Sequence, residues 1–225
     1  MIRNTLLLLF IVLFPFFVSA QVYTPTGQLN AARWRHQSQL LYNQKVLVFG
    51  GDDGYLSANV FTSAELYNPA TGDWSYTGSM KKKRTDFSSA VLPNGNVLAI
   101  GGTMSWDGND LYNTTSCEIY NVNTDTWLYT DSIQAERYGH KAILLKTGKV
   151  LVVGGNNNKT CELYDPTSNK WSYTGNNVNS MIEGMDLVML QDGKILATFE
   201  QIAELYDPQT GTWSLVNNTL NGNRT

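Results

Sequence analysis

Glu162-Leu163-Tyr164-Asp165-Pro166-Thr167-Ser168-Asn169-Lys170-Trp171 is the stretch that decides how this chain folds. Its middle is a turn sequence: an aspartate side chain can bond the backbone ahead of it, and proline presets its own φ. The same grammar recurs. Glu-apolar-Tyr stands at Glu65-Leu66-Tyr67, Glu118-Ile119-Tyr120, Glu162-Leu163-Tyr164 and Glu204-Leu205-Tyr206, and a tryptophan follows each tyrosine by 7 residues, at Trp74, Trp127, Trp171 and Trp213. Two positions before each tryptophan stands Gly72, Asp125, Asn169 or Gly211, the residue types that best tolerate a left-handed backbone. Each unit therefore reads as two short strands joined by one fixed turn.

Upstream lies a second hairpin. The apolar runs Val46–Phe49, Val97–Ile100 and Val150–Val153 end on glycine pairs, Gly50-Gly51, Gly101-Gly102 and Gly154-Gly155; a fourth run, Lys194–Thr198, carries Phe199-Glu200 instead. Asn43-Gln44, Asn94-Gly95, Thr147-Gly148 and Asp192-Gly193 precede these runs, at a spacing that predicts two-residue hairpin loops. Arg33 and His36, Arg84 and Phe87, and Arg137 and His140 open the strands before the loops. Each repeat thus predicts four antiparallel strands, a–b–c–d, lying near 140–145, 149–153, 160–164 and 171–173 in the third copy. The repeats run approximately over 33–80, 84–133, 137–177 and 182–217. Residues 21–27 align with a strand d that has no a–b–c before it, and residues 224–225 open a fifth copy. A lone sheet of this kind cannot bury both apolar faces, whereas copies stacked around an axis can. The expected fold is an all-β β-propeller of four-stranded blades, incomplete, or closed by homodimerisation.

At these residues the chain resembles the kelch-repeat family of β-propellers, through the glycine pair after strand b, the Glu-x-Tyr-Asp/Asn-Pro of strand c and the Trp of strand d. Stacking of the repeats makes the glycine pairs, the tyrosines and the tryptophans structural, and the recurrence of Arg33, Arg84 and Arg137 with Glu65, Glu118, Glu162 and Glu204 points to a structural ion pair or carbonyl clasp. The resemblance also raises an enzymatic alternative, because copper radical oxidases use kelch-like blades. Their tyrosine and histidine ligands are not matched here: the chain has 2 histidines, at equivalent strand-a positions. A non-functional truncated fragment is the other alternative.

Composition narrows the rest. The net charge of −3 without charge blocks gives no reason to expect nucleic acid, and 42% hydrophobic content excludes a disordered chain. The 2 cysteines cannot by themselves make a disulfide scaffold or a four-ligand zinc site, the 2 histidines leave little material for metal or acid–base chemistry, and no metal or cofactor is expected. Cys117 and Cys161 occupy the same strand-c position in successive blades, so they are expected free and buried. Arg3, the apolar run Leu6–Val18 and Val18-Ser19-Ala20 have the form of a secretory signal peptide over residues 1–20. The mature protein is then expected to be secreted, with no membrane association, and Asn113, Asn158, Asn217 and Asn223 become candidate glycosylation sites.

Function is expected on the face carrying the b–c and d–a loops, because the turns of the other face are tight. Trp34, Arg35, Asp52, Asp53, Tyr55, Lys81, Lys82, Lys83, Trp106, Asp107, Asp110, Tyr112 and Tyr138 fall in these loops. Tryptophan and tyrosine beside arginine and aspartate form the composition of a contact surface. The sequence therefore predicts a non-catalytic module that binds a protein or glycan, with a homodimer as a further candidate assembly.

Overall fold

The structure is a computed structural model and describes residues 26–54, 59–106, 111–156, 158–179 and 184–216. The expected signal peptide and the residues Tyr55, Asp107, Asp110, Ile182, Asn217, Asn223 and Arg224 lie outside them. Four sheets follow one another in chain order. Blade 1 contains β1 (Gln37–Leu40), β2 (Val46–Phe49), β3 (Ala64–Asn68) and β4 (Asp73–Thr77). Blade 2 contains β5 (Ser88–Val91) and β6 (Val97–Ile100), then β9 (Cys117–Asn121) and β10 (Thr126–Tyr129). Between β6 and β9 a separate hairpin, β7 (Thr103–Trp106) and β8 (Leu111–Asn113), is inserted. Blade 3 runs through β11 (Lys141–Leu144), β12 (Val150–Val153), β13 (Cys161–Asp165) and β14 (Lys170–Tyr173). Blade 4 runs through β15 (Asp186–Met189), β16 (Ile195–Phe199), β17 (Ile202–Asp207) and β18 (Thr212–Leu215). The strands of blade 3 fall within a residue or so of their predicted places. Contacts among the first strands link β1 to β5, β5 to β11 and β11 to β15, as blades of a partial propeller require.

The turns follow from local chemistry. In every c–d turn the residue two before the tryptophan is left-handed, with φ of 77° at Gly72, 55° at Asp125, 53° at Asn169 and 69° at Gly211. The leading Asx side chain accepts an amide two residues on, as Asp165 Oδ1 does from Thr167. The a–b turns differ from expectation. Leu145 N bonds Lys149 O and Gly148 N bonds Leu145 O, so three residues, not two, form each loop. Its last residue is left-handed: Gly95, Gly148, Gly193 and, in blade 1, Gln44 at φ 67°. A turn closed by a left-handed residue is the usual three-residue hairpin, which is why Asn-Gly suits it as well as the shorter loop.

Three apolar clusters fill the spaces between blades. Leu47, Phe49 and Leu66 of blade 1 meet Val97, Tyr120 and Trp127 of blade 2; Leu98 and Ile100 then meet Val152, Tyr164 and Trp171. Leu151 and Val153 meet Ile195, Ala197 and Tyr206. Within each blade tyrosine and tryptophan are cross-strand neighbours, as in Tyr164 with Trp171 at a ring separation of 5.1 Å. Each pair also reaches back one blade: Tyr120 bonds Thr77 at 2.8 Å, Trp171 Nε1 donates to Asp131 O at 3.0 Å, and Trp127 lies 5.0 Å from Phe49. Residues 26–27 serve blade 1 in the same way, since Gly27 N bonds Gly72 O as Gly175 N bonds Gly211 O.

The paired glycines are required by two close approaches. A Cβ on Gly50 would lie 2.7 Å from the Phe87 ring of the next blade, and one on Gly51 would lie 2.3 Å from Trp34 O of its own blade. Gly51 N also donates to Arg84 O, and Gly102 N to Arg137 O, so the backbones of successive blades are hydrogen-bonded there. Blade 4 dispenses with this corner. Phe199 pairs directly with Ile202, and Glu200 turns the chain at φ 51°.

Candidate interaction face

Buried ion pairs hold the loops of this face in place. Arg33 Nη2 meets Glu65 Oε1 at 2.7 Å, and Arg84–Glu118 and Arg137–Glu162 repeat this at 2.8 Å, all with side chains 0% exposed. Each pair lies within one blade. The carboxylate also accepts backbone amides of the d–a loop, Lys81 and Lys82 in the case of Glu118. The guanidinium of Arg84 donates to Gly101 O and Ser116 O, so ion pair and carbonyl clasp are one device. Burial would raise the Glu65 carboxyl, but hydrogen bonds from Arg33, Asn30 and Ala31 outweigh it and hold the group below its ordinary range. Glu204 is buried too, yet its donors among the described residues are Val178 N, Asn179 N and Asn179 Nδ2.

Above these clasps the strands continue as isolated bridges toward the face. Trp34 N and O pair with Asp52 O and N at 2.8 and 3.0 Å, and Thr85 pairs with Thr103. Asp52, expected as a contact residue, is fully buried and works from beneath. Its carboxylate accepts Arg35 Nε at 2.8 Å, Thr85 Oγ1 at 2.5 Å and Gly54 N at 2.9 Å. Burial raises its pKa, but these donors prevail and keep it low. Arg35, with its side chain 47% exposed, reaches on to Asp86 at 3.7 Å. Trp34 is 67% exposed, and its indole lies so close to Gly54 that a Cβ there would be 2.6 Å from the ring. Trp34, Arg35 and Asp86 thus form one surface cluster across blades 1 and 2, anchored on a buried carboxylate.

Asp86 was not singled out by the sequence reading, although a signal existed. Two residues after each strand-a arginine, or its counterpart Ile182, stand Arg35, Asp86, Gly139 and Gly184, and all four have positive φ: 51°, 50°, 65° and 95°. Glycine at two copies marks a left-handed position, and blades 1 and 2 place charged side chains there, at a cost of about 1–2 kcal/mol each.

The other expected residues are dispersed. Asp53 holds Asn59 through its backbone and side-chain amides at 3.2 and 2.8 Å. Lys81 and Lys83 are exposed, Lys82 half-buried, Tyr112 exposed and Tyr138 half-buried. Trp106 ends β7, in a segment read from sequence as loop; the turn-forming run Asp107-Gly108-Asn109-Asp110 was the available hint of the hairpin. Asn113 accepts Thr103 Oγ1 at 2.9 Å, and Asn158 accepts Thr160 N at 2.9 Å. Cys117 and Cys161 are free and buried, and burial pushes both thiols up to about 12. Among the described residues no group of three or more His, Cys, Asp and Glu side chains could hold a metal ion.

Fold and face together define an all-β array of four-stranded antiparallel blades, a partial propeller with its variable loops gathered on one side. Residues 41–81 match the Kelch motif. The chain is similar to an F-box/kelch-repeat protein of Arabidopsis thaliana, 32% identical over 52% of this chain and 30% of that protein. It is also similar to Kelch-like protein 24 of Homo sapiens, 28% identical over 57% of this chain and 20% of that protein. Kelch-like protein terF of Aspergillus terreus is 26% identical over 39% of this chain. The chain spans less than a third of the length of each of these relatives.

Proposed function

We propose that this chain is a secreted, non-catalytic protein-interaction module whose contact surface is the b–c and d–a loop face, centred on Trp34, Arg35 and Asp86. The observation that carries the reading is the anchored cluster itself. An exposed indole stands beside an arginine whose orientation is fixed by a fully buried aspartate, and aromatic and arginine anchors of this kind dominate protein interfaces. Left-handed charged residues at positions where glycine suffices in other blades support it, since backbone strain collects at functional sites. The kelch-repeat relatives support the class, and the basic, apolar, small-residue start of the chain supports secretion.

The test uses the chain secreted from a eukaryotic host. Its N-terminus should be Gln21. Immobilised wild-type protein and the Trp34→Ala/Arg35→Glu variant are then compared as baits against a secreted-protein library. A protein retained by the first and lost by the second supports the reading; identical capture by both baits overturns it. A glycan array probed in parallel reports a carbohydrate ligand, which would replace the protein partner.

A further inference from the structure

The outer strands of the four blades are equivalent edges, and at one register position blade 2 departs from the other three. Tyr76, Tyr129, Tyr173 and Leu215 hold the same register position and are 61%, 55%, 51% and 52% exposed. One position earlier blades 1, 3 and 4 carry Ser75, Ser172 and Ser214, whereas blade 2 carries Leu128, 60% exposed. Edge strands normally carry a charge that discourages pairing with another chain. Asp73 begins β4 and Lys170 begins β14, whereas β10, Thr126-Trp127-Leu128-Tyr129, and β18, Thr212-Trp213-Ser214-Leu215, contain no charge, and of these two β10 alone has an apolar residue where the other blades carry serine. Blade 2 therefore combines an uncharged edge with an apolar side chain at its midpoint.

Hydrogen-bond parity shows which groups this edge presents. Thr130 N bonds Cys117 O within the blade. Alternation along an antiparallel ladder then turns the backbone of Leu128 inward and the N–H and C=O groups of Trp127 and Tyr129 outward. We infer that β10 pairs antiparallel with β10 of a second copy of this chain, about a two-fold axis at Leu128. In that register Trp127 faces Tyr129 of the partner and the reverse, so each pair exchanges two backbone hydrogen bonds. The two leucines form the intervening non-hydrogen-bonded pair, where side chains approach most closely. Charge selects this occupant: an uncharged strand meeting itself brings no like charges together within the ladder. Asp125 and Asp131 of the second copy lie opposite each other just outside the four-residue ladder, where Lys170 offsets Asp131 at 3.3 Å and Asp125 accepts the Tyr120 hydroxyl at 2.6 Å. The interface is isologous, so it closes at two copies.

Light scattering and sedimentation of the secreted chain over about 1–200 µM test this, alongside hydrogen exchange. The wild type should reach twice the monomer mass at the upper end. Leu128→Ser restores the residue of the other three blades and should weaken association by about a hundredfold, since each dimer loses two buried leucines. Leu128→Lys, a charged edge, should be monomeric throughout. The Trp127 and Tyr129 amides should gain protection with concentration in the wild type alone. A wild type monomeric across the range overturns the inference, as does a dimer indifferent to both substitutions. Exchange at those two amides that ignores concentration overturns it as well.

Discussion

His140→Phe should remove a pH dependence that burial builds into the junction of blades 2 and 3. His140 is 2% exposed, with its ring against Gly101 of the preceding blade. The Ile100 backbone is close, but neither ring nitrogen makes a hydrogen bond of good geometry. Burial, reinforced by the positive charge of Arg137, lowers the imidazole from 6.5 to about 3. Above pH 6.5 the ring is neutral in both folded and unfolded chains and adds no pH dependence. Below it the unfolded chain takes up a proton that the folded one refuses, so stability falls as pH drops toward 3. At pH 5 the loss depends only on the unfolded value, and 1.5 pH units correspond to about 2 kcal/mol. Phenylalanine is the natural replacement because Phe87 holds the equivalent place in blade 2, against Gly50. Urea unfolding of both proteins at pH 7.5 and pH 5.0 supplies the comparison. His36, also lowered by burial, remains in both proteins and cancels, and the depressed carboxylates Glu65 and Asp52 lose their contribution only nearer pH 4. The variant should lose about 2 kcal/mol less than the wild type over this interval. Equal losses would mean that the folded protein protonates or hydrates the ring, and the argument from burial would fail.

Other expectations concern single devices of the repeat. Gly50→Ala places a Cβ 2.7 Å from Phe87 at φ +64° and should cost about 2–5 kcal/mol in urea unfolding, the sum of backbone strain and overpacking. Arg84→Met strands the fully buried Glu118 and should cost about 3–5 kcal/mol by the same assay. Gln44→Gly should act in the opposite direction. The left-handed residue becomes glycine, as in the other three a–b turns, and calorimetry should show a gain of about 1 kcal/mol. Both cysteines should resist a thiol-specific reagent in the native protein and react together on unfolding, since burial denies them solvent and raises their pKa to about 12.

The blade plan was legible before any coordinates because it rests on local rules repeated four times. A turn that needs Asx, proline and a left-handed residue writes those residues at constant spacing, and a mistake in one copy is corrected by the others. Where the rule is local but degenerate, the sequence leaves the loop length open. Asn-Gly serves two- and three-residue loops alike, and only the bond from Leu92 N to Asn96 O separates them in blade 2. The β7–β8 hairpin occurs once, so no second copy could announce it.

The interaction face was legible as a set of loops and not as a site. Sequence placed Trp34 and Arg35 in a d–a connection and Asp52 in a b–c loop of the same face, but assigned all three to the surface. Tertiary structure divided them: Asp52 is buried beneath, Arg35 is bonded to it, and Asp86 arrives from the next blade. Likewise, recurrence identified the arginines and glutamates as partners, while folding alone determined that each pair closes within its own blade. Backbone conformation and turn type depend on neighbours in sequence, so the chain itself fixes them. Burial and charge partnership depend on which blades become adjacent, and that is decided only when the sheets stack.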